Sequence, residues 1–441
     1  MQSYFYRLLD YINTQLMASE GFTAYFSGES SDFCRFNHSK VRQAGHVLQK
    51  SVRLNLNNGK RHAYYQIPLT GEFSSDCSTV KYAIDKLRTV ISSIAEDPFF
   101  FATDSRCDLT DVREGELPSV NEFIPKICDA FKKVDAVGIL TSGHVYRGFG
   151  NSAGQRNWFS STSFNLDWSI YHDADKAVKN NYAGFSWDDV ALNEKIRLDL
   201  ARLDRLERFS ERKISPGEYR VYLTPAAILE VFELLSWNAF GLKAQKTKSS
   251  AFNRLVDGSQ KLSTLVSFWE QPAHGTAPRF NEFGFIKPES ISLVENGKFC
   301  QSLVSPQSAA EYETESNGAE SAESPESLVM KGGSLKSEEI YEKIDKGLYI
   351  SNLWYLNYSD LEAARMTGMT RFATFFVENG ELKEPVSVMR FDESLYRMLG
   401  RNLIDLHHEP ELLLSSSTYG QRSTDSFQLP GALIDQFRFT L

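Results

Sequence analysis

Three of the four Asn-Gly pairs in this chain, Asn58-Gly59, Asn296-Gly297 and Asn379-Gly380, punctuate stretches of short alternating segments, while the fourth, Asn317-Gly318, lies in a polar stretch. Such a pair takes positive φ readily at the two central positions of a tight turn, so each of the three commits its flanks to an antiparallel hairpin. The clearest of them joins Phe376-Val377-Glu378 to Glu381-Leu382. Further strands are expected over Thr23–Ser27, Phe33–Phe36, Val47–Leu56, His62–Ile67, Val137–Leu140, Val145–Phe149 and Phe164–Ile170. Asn37 and Ser39 supply turn chemistry between two of these short strands.

Helices interleave with the strands. Phe5, Leu8, Leu9, Ile12 and Leu16 recur at helical spacing, as do Val80, Ala83, Ile84, Leu87 and Ile91, then Phe123, Ile124, Ile127 and Phe131. A charged helix is expected from about Trp187 to Arg208, with Ile196, Leu200 and Leu203 on its buried side. No regular strand–helix–strand rhythm emerges, so the fold class is α+β. Charge and a Pro-Gly pair break the pattern at Glu211–Gly217. Two domains follow: residues 1–213, with an antiparallel sheet and packed helices, and residues 214–441, mostly antiparallel β with a few helices. Residues 305–333 are rich in Ser, Glu, Ala and Gly, and are expected to form a mobile loop too polar to bury.

Net charge of −9 argues against a nucleic-acid groove, which needs clustered Lys and Arg. The five cysteines show no CxxC pairing and no even framework, which fits reduced thiols. The first residues lack the pattern of a signal peptide, and no apolar run reaches the ~20 residues of a membrane span. A cytoplasmic location is the expectation.

Catalytic signatures are scarce. Ser142-Gly143-His144 and Ser236 lack a Gly-x-Ser-x-Gly elbow, and Gly148-Phe149-Gly150 is not followed by the third Gly of a dinucleotide site. His407-His408-Glu409 is the one histidine cluster, and adjacent histidines on a strand face opposite ways. At most one of them could join a common zinc site, which needs three or four converging donors.

The middle of the chain is more telling. Thr224 suits an N-cap and Pro225 the first helical position, with Ile228, Leu229, Phe232 and Leu235 at helical spacing behind them. The helix runs into Leu234-Leu235-Ser236-Trp237-Asn238-Ala239-Phe240-Gly241. This arrangement resembles the TldD/PmbA family, the so-called modulators of DNA gyrase. So do Cys34–Val41, Asn151-Ser152-Ala153-Gly154, Arg279–Gly284, Gly347–Asn357, Thr367–Thr374, Phe376–Leu382 and Leu429–Ile434. The resemblance covers most of the chain and strengthens after Pro216.

In the catalytic branch of that family, the helix carries a His-Glu-x-x-x-His zinc motif after the paired leucines, and a Cys near the C-terminus completes the site. Here Ser236 and Trp237 stand at the first His and the Glu, and Gly241 or its neighbour at the second His. Ser415–Gly420 stands where that Cys would be. Trp237 is expected to be a packing residue or to fill the space of a zinc and its water. The resemblance therefore implies a PmbA/TldE-like subunit with no catalytic or metal residues of its own, zinc being carried by a TldD-type partner. Such assemblies act on extended peptides. Trp354, Tyr355 and Asn357 are the candidates for contacting that peptide, or else Trp354 and Tyr355 lie in the core. Two alternatives stay open: a self-associating peptide- or ligand-binding protein, and a metallopeptidase with an atypical site.

Overall fold

The computed structural model describes residues 1–101, 103, 107–173 and 176–440. In chain order the first half comprises α1 (Gln2–Thr14), β1 (Glu20–Asn37), β2 (Lys40–Asn58), β3 (Arg61–Pro68) and α2 (Phe73–Ile91). Then come β4 (Leu109–Arg113), α3 (Val120–Ala130), β5 (Asp135–Asn151), β6 (Arg156–Asp173), β7 (Lys176–Gly184) and α4 (Asp189–Arg208). Among the described residues these strands make one sheet in the order β3-β2-β1-β5-β6-β4, with β7 also paired to β6. Every pair is antiparallel except β4 with β6.

The strands are longer than the sequence suggests. β1 and β2 run for 18 and 19 residues and pair along their whole length. Polar positions such as Ser27, Glu29 and Ser31 interrupt the apolar alternation, but the backbone ladder does not depend on side chains. Phe22, Ala24 and Phe26 face α1 and α2, and Cys34 and Phe36, on the same parity, pack in the cluster that holds the apolar side of α3. The odd-numbered residues from 29 to 35 face away from that core, where polarity is tolerated.

The second half begins with β8 (Gly217–Leu223), α5 (Pro225–Leu235), α6 (Leu242–Lys246) and α7 (Asn253–Val256). It continues with β9 (Phe268–Glu270), β10 (Ile291–Glu295), β11 (Lys298–Phe299), α8 (Pro306–Glu311), β12 (Ser327–Met330) and α9 (Ile340–Ile344). The last strands are β13 (Lys346–Asp360), β14 (Arg365–Glu378), β15 (Glu381–Pro385), β16 (Arg390–Ser394), β17 (Leu403–Leu406), β18 (Glu411–Leu414), β19 (Ser426–Leu429) and β20 (Ala432–Phe439). One sheet is ordered β11-β10-β9-β12-β19-β18. In the other, β13-β8-β20-β16-β14 closes on itself because β14 also pairs β13. α5 packs its Ile228, Val231, Phe232 and Leu235 into the core shared by these two sheets. Full burial of each such side chain contributes about 1.5–3 kcal/mol.

Residues 305–333 are not a solvated loop. Ser305 caps α8, its Oγ accepting from the Ser308 N–H at 3.2 Å, and β12 lies inside its sheet between β9 and β19. Composition misleads here because the acids have internal partners. Glu323 accepts from the Ser305 N–H at 2.8 Å and the Lys243 N–H at 2.9 Å, and Glu326 pairs with the buried Lys287. Among the described residues no helix is long and apolar enough to cross a membrane.

Candidate functional site

The helix α5 starts as its local sequence dictates. The Thr224 hydroxyl accepts from the Ala227 N–H at 3.3 Å and donates to the Ser351 carbonyl at 2.6 Å, and Pro225 occupies the first turn, where no N–H is needed. At the far end Ser236 Oγ donates back to the Phe232 carbonyl at 2.8 Å. Trp237 follows and is 67% exposed, so it neither packs into the core nor fills an enclosed space. The reason is geometric: the chain leaves the helix at Ser236, and the apolar stripe ends with Leu235. Gly241 opens α6, and a Cβ there would lie 2.7 Å from Glu323 Cβ. Glycine at this place serves close packing.

The opposite side of α5 looks into a cleft between the first sheet and the second half. Ala226, Leu229, Glu230 and Glu233 line a cavity of about 110 Å³, facing Asn165 and Lys179. Asp167 on β6 lines both this cavity and a groove of about 990 Å³. Lys179, Asn180 and Ala226 are shared with a third cavity of about 410 Å³. The three are parts of one cleft.

The large groove has a sheet floor. Phe33 and Arg35 on β1, Val47 on β2 and Ile139 on β5 are among its lining residues. Residues 418–422 strap across one end of it. Arg422 is buried and donates to the Gly143 carbonyl at 3.1 Å and to the carbonyl and hydroxyl oxygens of Ser163 at 3.1 and 2.7 Å. Burial lowers its pKa to about 10. At the rim, β3 pairs β2 only from Ser51 onward, which leaves residues 40–49 of β2 as an outer edge with no neighbouring strand among the described residues.

Charge in the small cavity is unbalanced. Burial, then the neighbouring Glu233 charge, pushes the Glu230 carboxyl up to about 7, while Lys179 draws it down. Glu233 is open to cleft solvent yet crowded by protein, which raises it as well, against the pull of Lys179. Asp167 is raised by burial, and Lys179 Nζ stands 3.9 Å from its Oδ2.

Trp354, Tyr355 and Asn357 lie elsewhere. All three are exposed on β13, beside a shift in register with β14, and they line none of the three parts of the cleft. Tyr355 is 75% exposed with φ of 59°, and the Arg371 guanidinium sits 4.2 Å above the Trp354 ring. Neither aromatic is in the core. His407 does reach the cleft, through the third cavity. Its Nε2 is 2.9 Å from Ser337 Oγ and its Nδ1 3.0 Å from the Glu409 carbonyl oxygen, so both nitrogens are engaged. His408 is exposed.

These residues do not fit a zinc ion. Zinc takes imidazole, thiolate or carboxylate donors at about 2.0–2.3 Å from several elements. The end of α5 offers a hydroxyl turned back on its own helix and an indole in solvent. Among the described residues no three His, Cys, Asp or Glu side chains converge.

Glu230, Asp167, Lys179, Asn165 and Asn352 were not singled out by the sequence. One signal was there: Glu230 and Glu233 are three apart, hence neighbours on a helix whose other side is apolar.

The PmbA/TldA metallopeptidase C-terminal domain family matches residues 216–441. No curated protein sequence matches the chain. The fold is similar to that of TldE from Thermococcus kodakarensis, at 15% identity and a TM-score of 0.77, over 99% of this chain and 100% of that one. A protein from Thermotoga maritima described as a modulator of a DNA gyrase gives 12% identity and 0.77, over 99% of both chains. One from Bacteroides thetaiotaomicron, described likewise, gives 15% and 0.71, over 99% of this chain and 98% of that one.

Proposed function

Because this chain belongs to the TldD/PmbA metallopeptidase family, we propose that it is a non-catalytic, TldE-like subunit that holds extended peptides for a zinc-bearing TldD-type partner. The observation that carries this reading is the end of α5. Where catalytic relatives are expected to present His and Glu, Ser236 is bonded to its own helix and Trp237 is in solvent. Zinc and the general base then belong to the partner.

The cleft supplies the other half of the reading. An unfolded segment can add to the outer edge of β2 at residues 40–49, bonding through its main chain and so without regard to sequence. Its side chains would reach the sheet floor at Phe33, Val47 and Ile139. Because this cleft is complete within one chain, a second reading stands beside the first: a peptide-binding protein that pairs with its own copy and needs no protease. A cytoplasmic setting, with reduced cysteines, suits either.

The test is zinc analysis and peptide hydrolysis, first on the chain alone and then with a relative that carries His-Glu-x-x-x-His. Expected are near-zero zinc and no hydrolysis alone, and hydrolysis on mixing. One zinc per chain, or hydrolysis by the chain alone, overturns the subunit reading and favours an atypical metallopeptidase site. No effect of mixing favours the self-associating binder.

A further inference from the structure

The small cavity beside α5 contains acceptors that nothing in the chain uses. Asn165 Oδ1 and Asn352 Oδ1 have no hydrogen-bond partner, although each residue is only 6% exposed. Asn165 comes from β6, and its amide nitrogen donates to the Leu414 carbonyl at 3.4 Å while its oxygen is buried without a partner. Asn352 comes from β13. Both line the same 110 Å³ space as Asp167, Glu230 and Glu233. Buried polar groups in folded proteins are nearly always satisfied, so two orphaned oxygens in one cavity mark a place where a donor belongs.

That donor should also be positive. Three carboxylates line the cavity, and among its described lining residues Lys179 is the one cation. It stands 3.9 Å from Asp167 and forms no ion pair with Glu230 or Glu233. A divalent metal ion does not suit the arrangement. It needs six or more oxygens at about 2.0–2.6 Å from one point, and no three acidic, His or Cys side chains converge among the described residues. A primary ammonium does suit it, because three N–H donors on a flexible stem can use acceptors spread around a small cavity. Water could satisfy the amide oxygens but not the charge that Glu230, its carboxyl pushed up to about 7, carries above neutral pH.

We propose that this cavity binds a primary ammonium group of an extended peptide, either a lysine side chain or a free N-terminus, through Glu230, Glu233, Asn165 and Asn352. The proposal rests on the peptide-holding role above and names what that role selects. The ammonium would enter along the cleft from the groove, passing Asp167, which both spaces share.

The test is fluorescence anisotropy with the full chain and three labelled Gly/Ser-rich peptides. One carries a central lysine and an acetylated N-terminus, one a central acetyl-lysine and a free N-terminus, and one has both amines acetylated. At least one amine-bearing peptide should bind about tenfold more tightly than the doubly acetylated one, and which does so identifies the source of the ammonium. The double variant E230Q/E233Q and, separately, N352L should lose that discrimination while unfolding at no lower temperature than wild type. Equal affinity for all three peptides, no saturable binding of any, or discrimination intact in both variants overturns the site. Hydrolysis of the three peptides in the mixture with a zinc-bearing relative separates the two ideas. Hydrolysis on mixing with equal affinities in the binding assay sinks the ammonium site and leaves the subunit reading standing. Discrimination without hydrolysis does the reverse.

Discussion

Two clusters of acidic residues sit inside this molecule, and only one is finished. Around β9, the Glu270 carboxylate accepts from the N–H groups of Ser327 at 3.1 Å and Glu326 at 3.2 Å, Glu320 accepts from the Glu282 N–H at 3.3 Å, and Lys287 pairs with Glu326. Burial pushes Glu270 up to about 7 and Glu320 to about 8, as it pushes Glu230 to about 7 in the other cluster, so protonation does not separate the two. The cleft beside α5 has the same residue types, with Lys179 in the place of Lys287, but it leaves two amide oxygens bare and one cation among three acids. The first cluster holds β9 to β12. The second is open to solvent and short of a donor. Acidity alone does not mark a site; the unfilled hydrogen-bond places do.

Removing the lysine from each cluster should separate them most. Lys287→Met leaves a buried carboxylate without its cation and should lower stability by about 3–5 kcal/mol in urea unfolding. Lys179→Met should cost less than about 1 kcal/mol, its partners being in reach of water. Equal losses would erase the distinction.

Arg422→Ala should come next, at about 2–3 kcal/mol, since the strap over the first sheet loses its bonds to Gly143 and Ser163. Hydrogen exchange in residues 418–422 should rise with it.

Stability should also depend on pH in a direction set by the raised carboxyls. A carboxyl at about 7 in the folded chain and about 4.5 unfolded keeps its proton longer when folded, so stability falls as pH rises from about 4.5 to 7. E230Q should therefore gain about 1 kcal/mol over wild type at pH 8, after allowance for solvent screening, and match it near pH 4.5. The smallest effect belongs to Trp237→Ala, within about 0.5 kcal/mol because the ring is in solvent.

What was legible in the sequence was local. The cap at Thr224, the proline after it and the three Asn-Gly turns are settled by residues a few positions apart, and the structure has all of them. α1, α2 and α4 stand where apolar spacing puts a helix, although α1 stops at Thr14, short of Leu16, and α2 starts at Phe73, well before Val80. β1 reads as short because Glu29 and Ser31 break the alternation, and they are tolerated because they lie on the other face of the sheet, where Arg422 of the strap bonds both. Residues 305–333 read as solvated because the partners of Glu323 and Glu326 lie at Lys243, Ser305 and Lys287. The cleft was hidden for a related reason: its acceptors stand at 165, 230, 233 and 352, and only the fold brings them together.

The strap has a consequence for biosynthesis. Arg422 is bonded to carbonyls at 143 and 163, yet it leaves the ribosome more than 250 residues after either. The first sheet can pair its strands while translation continues, but the walled groove cannot exist until that arginine arrives. A nascent chain therefore carries no competent groove in which to trap neighbouring unfolded segments.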